Sequence, residues 1–186
     1  MSKIYSSEQV SRGHVDKICD QIADAIVTDC LMHDRNSRVA VEVLLKNETV
    51  IIAGEITSEH EPNYADLVMQ VMADIGIDKL GYSSIDVKGL ITKQSPDIAM
   101  GVDKGGAGDQ GIMYGYATNE TPELLPTPFA VATKFIKRLE ALDCPMLMPD
   151  AKAQVSFDYG EGRITTFLCS VQHSEDATLD DIRKII

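Results

Sequence analysis

Two apolar runs separated by two polar residues constrain this chain most. Val39, Val41, Val43 and Leu45 alternate with Ala40, Glu42 and Leu44, and after Asn47-Glu48 a second apolar run extends from Val50 to Ile56. A period of two on each side of a polar turn is the pattern of antiparallel strands joined as a hairpin. If Lys46 pairs with Thr49, then Ala40 opposes Glu55 and Glu42 opposes Ala53. Both glutamates then project from one sheet face as diagonal neighbours. A three-residue turn would place them on opposite faces, because a slip of one residue reverses every side chain.

The period changes from two to 3.6 on either side of the hairpin. Val15, Ile18, Cys19, Ile22 and Ile26 recur at helical spacing over residues 14–28, with Asp16, Asp20 and Asp24 four apart on another face. Pro62 and Gly76 bracket a second helix, Asn63 to Ile75, whose buried stripe is Leu67, Val68, Val71, Met72 and Ile75. Ile85 to Ile91 reads as a strand. Apolar periodicity then vanishes over residues 93–111, which reads as a loop. Beyond Pro122 and Pro126, Thr127 is the expected N-cap of a helix with Pro128 in its first turn. Phe129, Ala132, Phe135, Ile136, Leu139 and Leu142 form the core face of that helix. Residues 153–172 read as two strands around Gly160-Glu161-Gly162, and Leu179 begins a last helix that stops on its apolar stripe at Ile185-Ile186. The chain is therefore expected to be cut there or completed by something else. The order is helix, hairpin, helix, strand, loop, helix, hairpin, helix. This predicts an α+β fold with largely antiparallel sheets and helices packed on one face.

Composition excludes some classes of function. The formal net charge of −12 argues against a non-specific nucleic-acid binder, which needs a basic patch. Cys19, Cys30, Cys144 and Cys169 form no C-x-x-C pair and sit mostly among apolar neighbours, as inert thiols do in a reducing compartment. The start of the chain shows no apolar signal region, and no apolar run could span a bilayer. A cytoplasmic protein without a membrane segment is the expectation.

Several short segments can carry chemistry. Gly106-Ala107-Gly108-Asp109-Gln110-Gly111 satisfies G-x-G-x-x-G, but no strand precedes it and no helix follows, so the dinucleotide reading fails. Gly13-His14-Val15-Asp16-Lys17 opens the first helix with an imidazole, a carboxylate and an ammonium group. A helix N-terminus with these groups suits a metal-bound polyphosphate; an ordinary helix start, with Asp16 stabilising the dipole, has the same pattern. Glu42 and Glu55 interrupt apolar strands, where a carboxylate must be paired, hydrated or bound to a cation. They suit a metal ion, a ligand's ammonium group or a wet sheet face. Lys93 to Ile98 and Gly105 to Gly111 frame the loop. They fit a clamp on a small polar ligand or a mobile surface segment. Asp150-Ala151-Lys152-Ala153-Gln154 opens a strand and is either a nucleotide contact or a plain strand start.

Taken together and in order, these segments resemble one family. Glu8 to Ile18 is similar to the opening motif of the S-adenosylmethionine synthetases, and Gly54-Glu55-Ile56-Thr57 to their second-strand motif. Lys93-Gln94-Ser95-Pro96-Asp97-Ile98 resembles their methionine-site loop. Gly106 to Gly111 with Met113 to Glu120 resembles their most distinctive block, and Asp150-Ala151-Lys152 and Gln172-His173-Ser174-Glu175 also match. The resemblance covers nearly all of this chain and about half of a family chain. It implies repeated α+β domains: an N-terminal domain over 1–98, a shortened active-site loop over 99–111, and a central domain over 112–186 that stops before its end.

The resemblance also implies a reaction, the attack of methionine sulfur on C5′ of ATP with loss of the triphosphate, which is then cleaved. It implies that His14 lies beside the phosphates and the leaving oxygen, with Lys17 as its catalytic companion. Asp16 would hold Mg2+ and Glu42 would help to bind K+. Glu55, Gln94 and Asp109 would contact L-methionine, and Asp150 and Lys152, with His14, the ATP. The family pairs its subunits, so a homo-dimer or higher oligomer, or a complementary C-terminal half, is the implied partner. Four departures stand out. Val15 replaces the usual proline, which removes a restriction on His14. Arg12 stands where an acidic residue is common. The loop between Asp103 and Gly106 is several residues shorter, and the family's second half, with its further cationic groups, is absent. These departures leave a second reading open, a non-catalytic binding or regulatory module derived from the same fold.

Overall fold

The structure, a computed structural model describing residues 3–76, 82 and 84–186, runs β1 (Ile4–Val10), α1 (Val15–His33), β2 (Arg38–Lys46), β3 (Thr49–Thr57), α2 (Tyr64–Ile75), β4 (Asp86–Thr92), α3 (Pro96–Val102), α4 (Thr127–Glu140), β5 (Leu147–Asp158), β6 (Arg163–His173) and α5 (Leu179–Ile185). It divides into two compact units, Ile18–Tyr114 and Met1–Lys17 with Gly115–Ile186.

In the first of these units the hairpin takes the two-residue register. Lys46 pairs with Thr49, Glu42 with Ala53 and Ala40 with Glu55. Asn47 turns the chain at a φ of +53°, which asparagine tolerates better than most residues. β4 then adds to β3 in parallel, giving the order β2-β3-β4. The sheet is therefore mixed, because the chain returns to the same end of β3 through α2 rather than through a hairpin. Its inner face meets α1 and α2. Ile18, Ile22, Ile26 and Cys30 of α1 pack with Leu45, Val50, Ile52, Ile56, Val68, Met72 and Ile75. Burial of each of these larger aliphatic side chains contributes about 1.5–3 kcal/mol. α1 runs about a turn beyond the expected residue 28, and Val15, expected on the buried stripe, is exposed. The Asn63 side chain caps α2 by accepting from Asp66 N, and Gly76 closes the helix on the Met72 and Ala73 carbonyls.

Residues 96–102, read as part of a loop, form α3 instead. This helix is two turns long with no buried residue, so it leaves no apolar stripe to read. Its signal is the cap, with Ser95 accepting from Asp97 N just before Pro96.

In the other unit β1, β5 and β6 form a wholly antiparallel sheet with β5 in the centre. β1 was not anticipated. Its apolar Ile4 and Tyr5 are exposed, so no alternation marks it. Ile136 and Leu139 of α4, Ala151 and Ala153 of β5, and Ile182 of α5 share a core, and Leu142, expected on that face, is exposed. Thr127 is the first residue of α4 and does not cap it. Its N–H and hydroxyl both donate to Glu120 Oε2, at 3.0 and 2.8 Å. The Tyr159 hydroxyl donates to the same oxygen at 2.8 Å.

Desolvation, then the Glu120 carboxylate, pushes the Tyr159 phenol up to about 12. A phenol raised above the unfolded value of about 10 stabilises the fold fully below pH 10 and loses that contribution as pH rises toward 12. Phenolate absorbance should therefore show a tyrosine titrating near 12. Glu120→Gln should lower that midpoint toward the unfolded value, and Tyr159→Phe should remove it.

Candidate functional site

A buried hydroxyl fixes the start of α1 against β5. Ser11, 1% exposed, donates to Pro149 O at 2.6 Å, and its Oγ accepts from Ala151 N at 2.7 Å. Ser11 N donates to Ala151 O at 2.9 Å, and His14 N to Ser11 O at 3.1 Å. Arg12 N donates to Glu140 Oε1 at 2.7 Å. Gly13 lies so close to Pro149 that a Cβ would come within 2.6 Å of the proline carbonyl carbon. Only glycine fits there without moving the strand.

This stitching joins two segments that the sequence keeps far apart. Lys152 is the register partner of Val10, and its Nζ lies 3.9 Å from Glu8 Oε2. Asp150 and Lys152 sit within β5, which starts at Leu147, earlier than expected. They alternate with Ala151 and Ala153, which are buried, so both lie on the sheet face away from the core. The anchoring residues of the His14–Lys17 segment thus bond directly to the backbone on either side of Asp150.

His14 is one-fifth exposed and Asp16 almost fully exposed, with 3.9 Å between His14 Nδ1 and Asp16 Oδ2. Asp16 N donates to His14 Nδ1 at 3.3 Å. In a neutral imidazole that bond leaves the proton on Nε2, a donor for an anionic oxygen. The solvated Asp16 carboxylate is a hard oxygen ligand of the kind Mg2+ takes while keeping most of its waters.

In the unit Ile18–Tyr114, Glu42 and Glu55 share the outer face of the β2-β3-β4 sheet, as the two-residue register requires. Gly54 permits this spacing. It has a φ of +145°, and a Cβ there would strike the Ala40 carbonyl oxygen. Glu55 pairs with Thr92, two residues before Gln94. Gln94 Oε1 accepts from Arg38 Nε at 2.9 Å, and Arg38 Nη1 is 2.8 Å from Asp103 Oδ1. Gly108 comes near Gln94, since a Cβ on it would lie 3.8 Å from Nε2. Glu55, Gln94 and the loop bearing Asp109 therefore gather at one end of β3 and β4.

Sequence reasoning missed Ser11, Arg38 and Asp103, which position the others. Ser11 follows Val10 with no apolar pattern of its own, and the Arg38–Gln94–Asp103 chain is long-range. Neither leaves a local sequence signal.

Comparison with known proteins shows what the chain resembles. The S-adenosylmethionine synthetase N-terminal domain matches residues 2–96, and the central domain of the same family matches residues 104–186. The S-adenosylmethionine synthase of Crocosphaera subtropica (strain ATCC 51142 / BH68) is 44% identical over 205 residues, covering 96% of this chain and 49% of its own length. That of Thermosynechococcus vestitus (strain NIES-2133 / IAM M-273 / BP-1) is 44% identical over 208 residues, covering 98% of this chain and 50% of its own. The chain spans about half the length of these relatives. The matched regions exceed its 186 residues, so internal segments of the relatives have no counterpart here. Among the described residues no helix is long and apolar enough to cross a membrane.

The anchoring geometry sets a stability test. Ser11→Ala leaves the buried Ala151 N–H without its acceptor, which costs about 1–3 kcal/mol. Gly13→Ala forces the start of α1 off Pro149, at about 1–3 kcal/mol. Urea denaturation should show both losses.

Proposed function

The chain belongs to the S-adenosylmethionine synthetase family, and from that premise we propose that it carries the N-terminal and central parts of a methionine adenosyltransferase. The single observation that carries this reading is the bonding of Ser11 to Pro149 and Ala151, which sets the His14–Lys17 segment against the Asp150–Lys152 strand. We take residues 1–98 as the N-terminal domain, 99–111 as a shortened active-site loop and 112–186 as the central domain, stopping before its end.

The neutral sulfur of L-methionine attacks C5′ of ATP. The S–C5′ bond forms, the C5′–O bond breaks, and triphosphate departs, to be hydrolysed to pyrophosphate and phosphate. Sulfur has no proton to lose, so no general base is required. The barrier lies in alignment and in the charge that grows on the departing oxygen. His14 donates from Nε2 to that oxygen, and Lys17 adds positive charge beside it. Asp150 and Lys152 hold the nucleotide. Glu55 takes the methionine ammonium group, and Gln94 and Asp109 fix the amino acid. Asp16 would hold Mg2+ and Glu42 would hold K+; when bound, these ions supply countercharge for the polyanion. The remaining cationic groups come from a second subunit or from a complementary C-terminal half. The four free thiols suit a reducing cytoplasm.

One observation favours the second reading, a binding or regulatory module that does not turn over. The chain lacks internal segments that its relatives have.

Mixing the chain with the C-terminal half of the Crocosphaera synthase should yield S-adenosylmethionine in a methionine-dependent reaction. His14→Gln in that mixture should lower kcat about 100-fold or more, the usual loss when a donor to a developing oxyanion is removed. A folded, associated pair without turnover would overturn the catalytic reading in favour of the module. In methionine titrations Glu55→Gln should weaken binding more than tenfold, since a charge-assisted bond contributes about 1.5–3 kcal/mol.

A further inference from the structure

The far end of α1 carries a cluster that the proposed reaction leaves unused. Asp29 and His33 lie four residues apart on the helix, and His60 comes from the turn after β3. His60 Nε2 is 2.7 Å from Asp29 Oδ2, and His33 Nδ1 is 3.5 Å from Asp29 Oδ1. The two imidazoles stack, with centroids 4.0 Å apart and planes inclined by 17°. One ligand atom from each of the three residues lies within 4.8 Å of the others.

The donors and their surroundings specify a ligand class. Two imidazole nitrogens and one carboxylate oxygen are the set that borderline divalent transition metals take, whereas Mg2+ prefers oxygen alone. His33 Nδ1 lies 2.9 Å from the Asp29 backbone carbonyl. An oxygen there requires Nδ1 to donate, which leaves the Nε2 lone pair available. A ring oriented by such a bond is the usual state of a metal-binding histidine. The turn that carries His60 is itself held. Ser37 Oγ donates to Ser58 Oγ at 2.7 Å, Glu59 N to Asp34 Oδ2 at 3.0 Å, and His60 N to Ser58 Oγ at 3.0 Å. His33 is half exposed, so the cluster is open to an ion from solvent.

We propose that Asp29, His33 and His60 form a site for a divalent transition-metal ion of the Zn2+ class, which clamps the end of α1 to the turn after β3. On binding, the His60 proton moves from Nε2 to Nδ1, the ion takes its place beside the Asp29 carboxylate, the stacked rings turn so that both lone pairs meet the ion, and water completes its coordination. The site stands whether or not the chain is catalytic.

Calorimetric titration of the chain with Zn2+ in excess Mg2+ tests it. One ion per chain should bind and raise the Tm. His33→Gln and His60→Gln should each weaken binding at least about tenfold, the loss that removal of even an outer partner causes. Circular dichroism would check that each variant is folded. The visible spectrum of Co2+ bound to the unaltered chain should show nitrogen ligation, a readout that needs no substitution. No binding, an affinity unchanged in either folded histidine variant, or a Co2+ spectrum like that of the aqueous ion would overturn the proposal.

Discussion

A single serine hydroxyl holds the His14–Lys17 segment and the Asp150–Lys152 strand together. Ser11 is buried and satisfies groups on both sides of Asp150 through Pro149 O and Ala151 N. Leaving such groups unpaired in an apolar interior is costly, so the contact fixes geometry as well as adding stability. The rest follows from it. β1 must join the sheet of β5, Gly13 must lack a side chain, and α1 must start beside the strand that carries Lys152. The arrangement pins the backbone that carries an imidazole, a carboxylate and lysine groups, as the proposed reaction, driven by alignment and countercharge, needs.

A different device governs Glu42, Glu55 and Gln94. The Asn47-Glu48 turn sets the register, and Gly54 lets β3 approach β2 at Ala40, so Glu42 and Glu55 emerge on one face. α1 and α2 cover the opposite face. The sheet can therefore commit one surface to a packed core and leave the other for charge. Arg38 ties Gln94 to Asp103 and so couples the loop after β4 to the hairpin.

The legible parts of the fold were those with local physics behind them. The hairpin followed from two apolar runs around a polar turn, with its register left between two alternatives, and α2 followed from its Pro62 start and Gly76 end. The stripe of α1 followed from Ile18, Ile22 and Ile26. β1 was missed because Ser6, Ser7, Glu8 and Gln9 offer no apolar alternation on an edge strand whose partner lies over a hundred residues away. α3 was missed because no face of it is buried. The parallel pairing of β3 and β4 is a property of chain path that no window of residues encodes. Val15 and Leu142 have the right spacing for the core but lie at or just beyond helix ends, where the stripe runs out of partners. The motif residues were legible through resemblance. What brings the first helix and Asp150 together was not, because Ser11 looks like any other polar residue.

The central claim is that His14–Lys17 and Asp150–Lys152 act as one anion-binding wall. Amide-resolved NMR titration of the chain with magnesium tripolyphosphate tests it most directly. The account predicts that the amides of both segments shift together along a single binding isotherm. Shifts confined to one segment, or two isotherms with different dissociation constants, would contradict it.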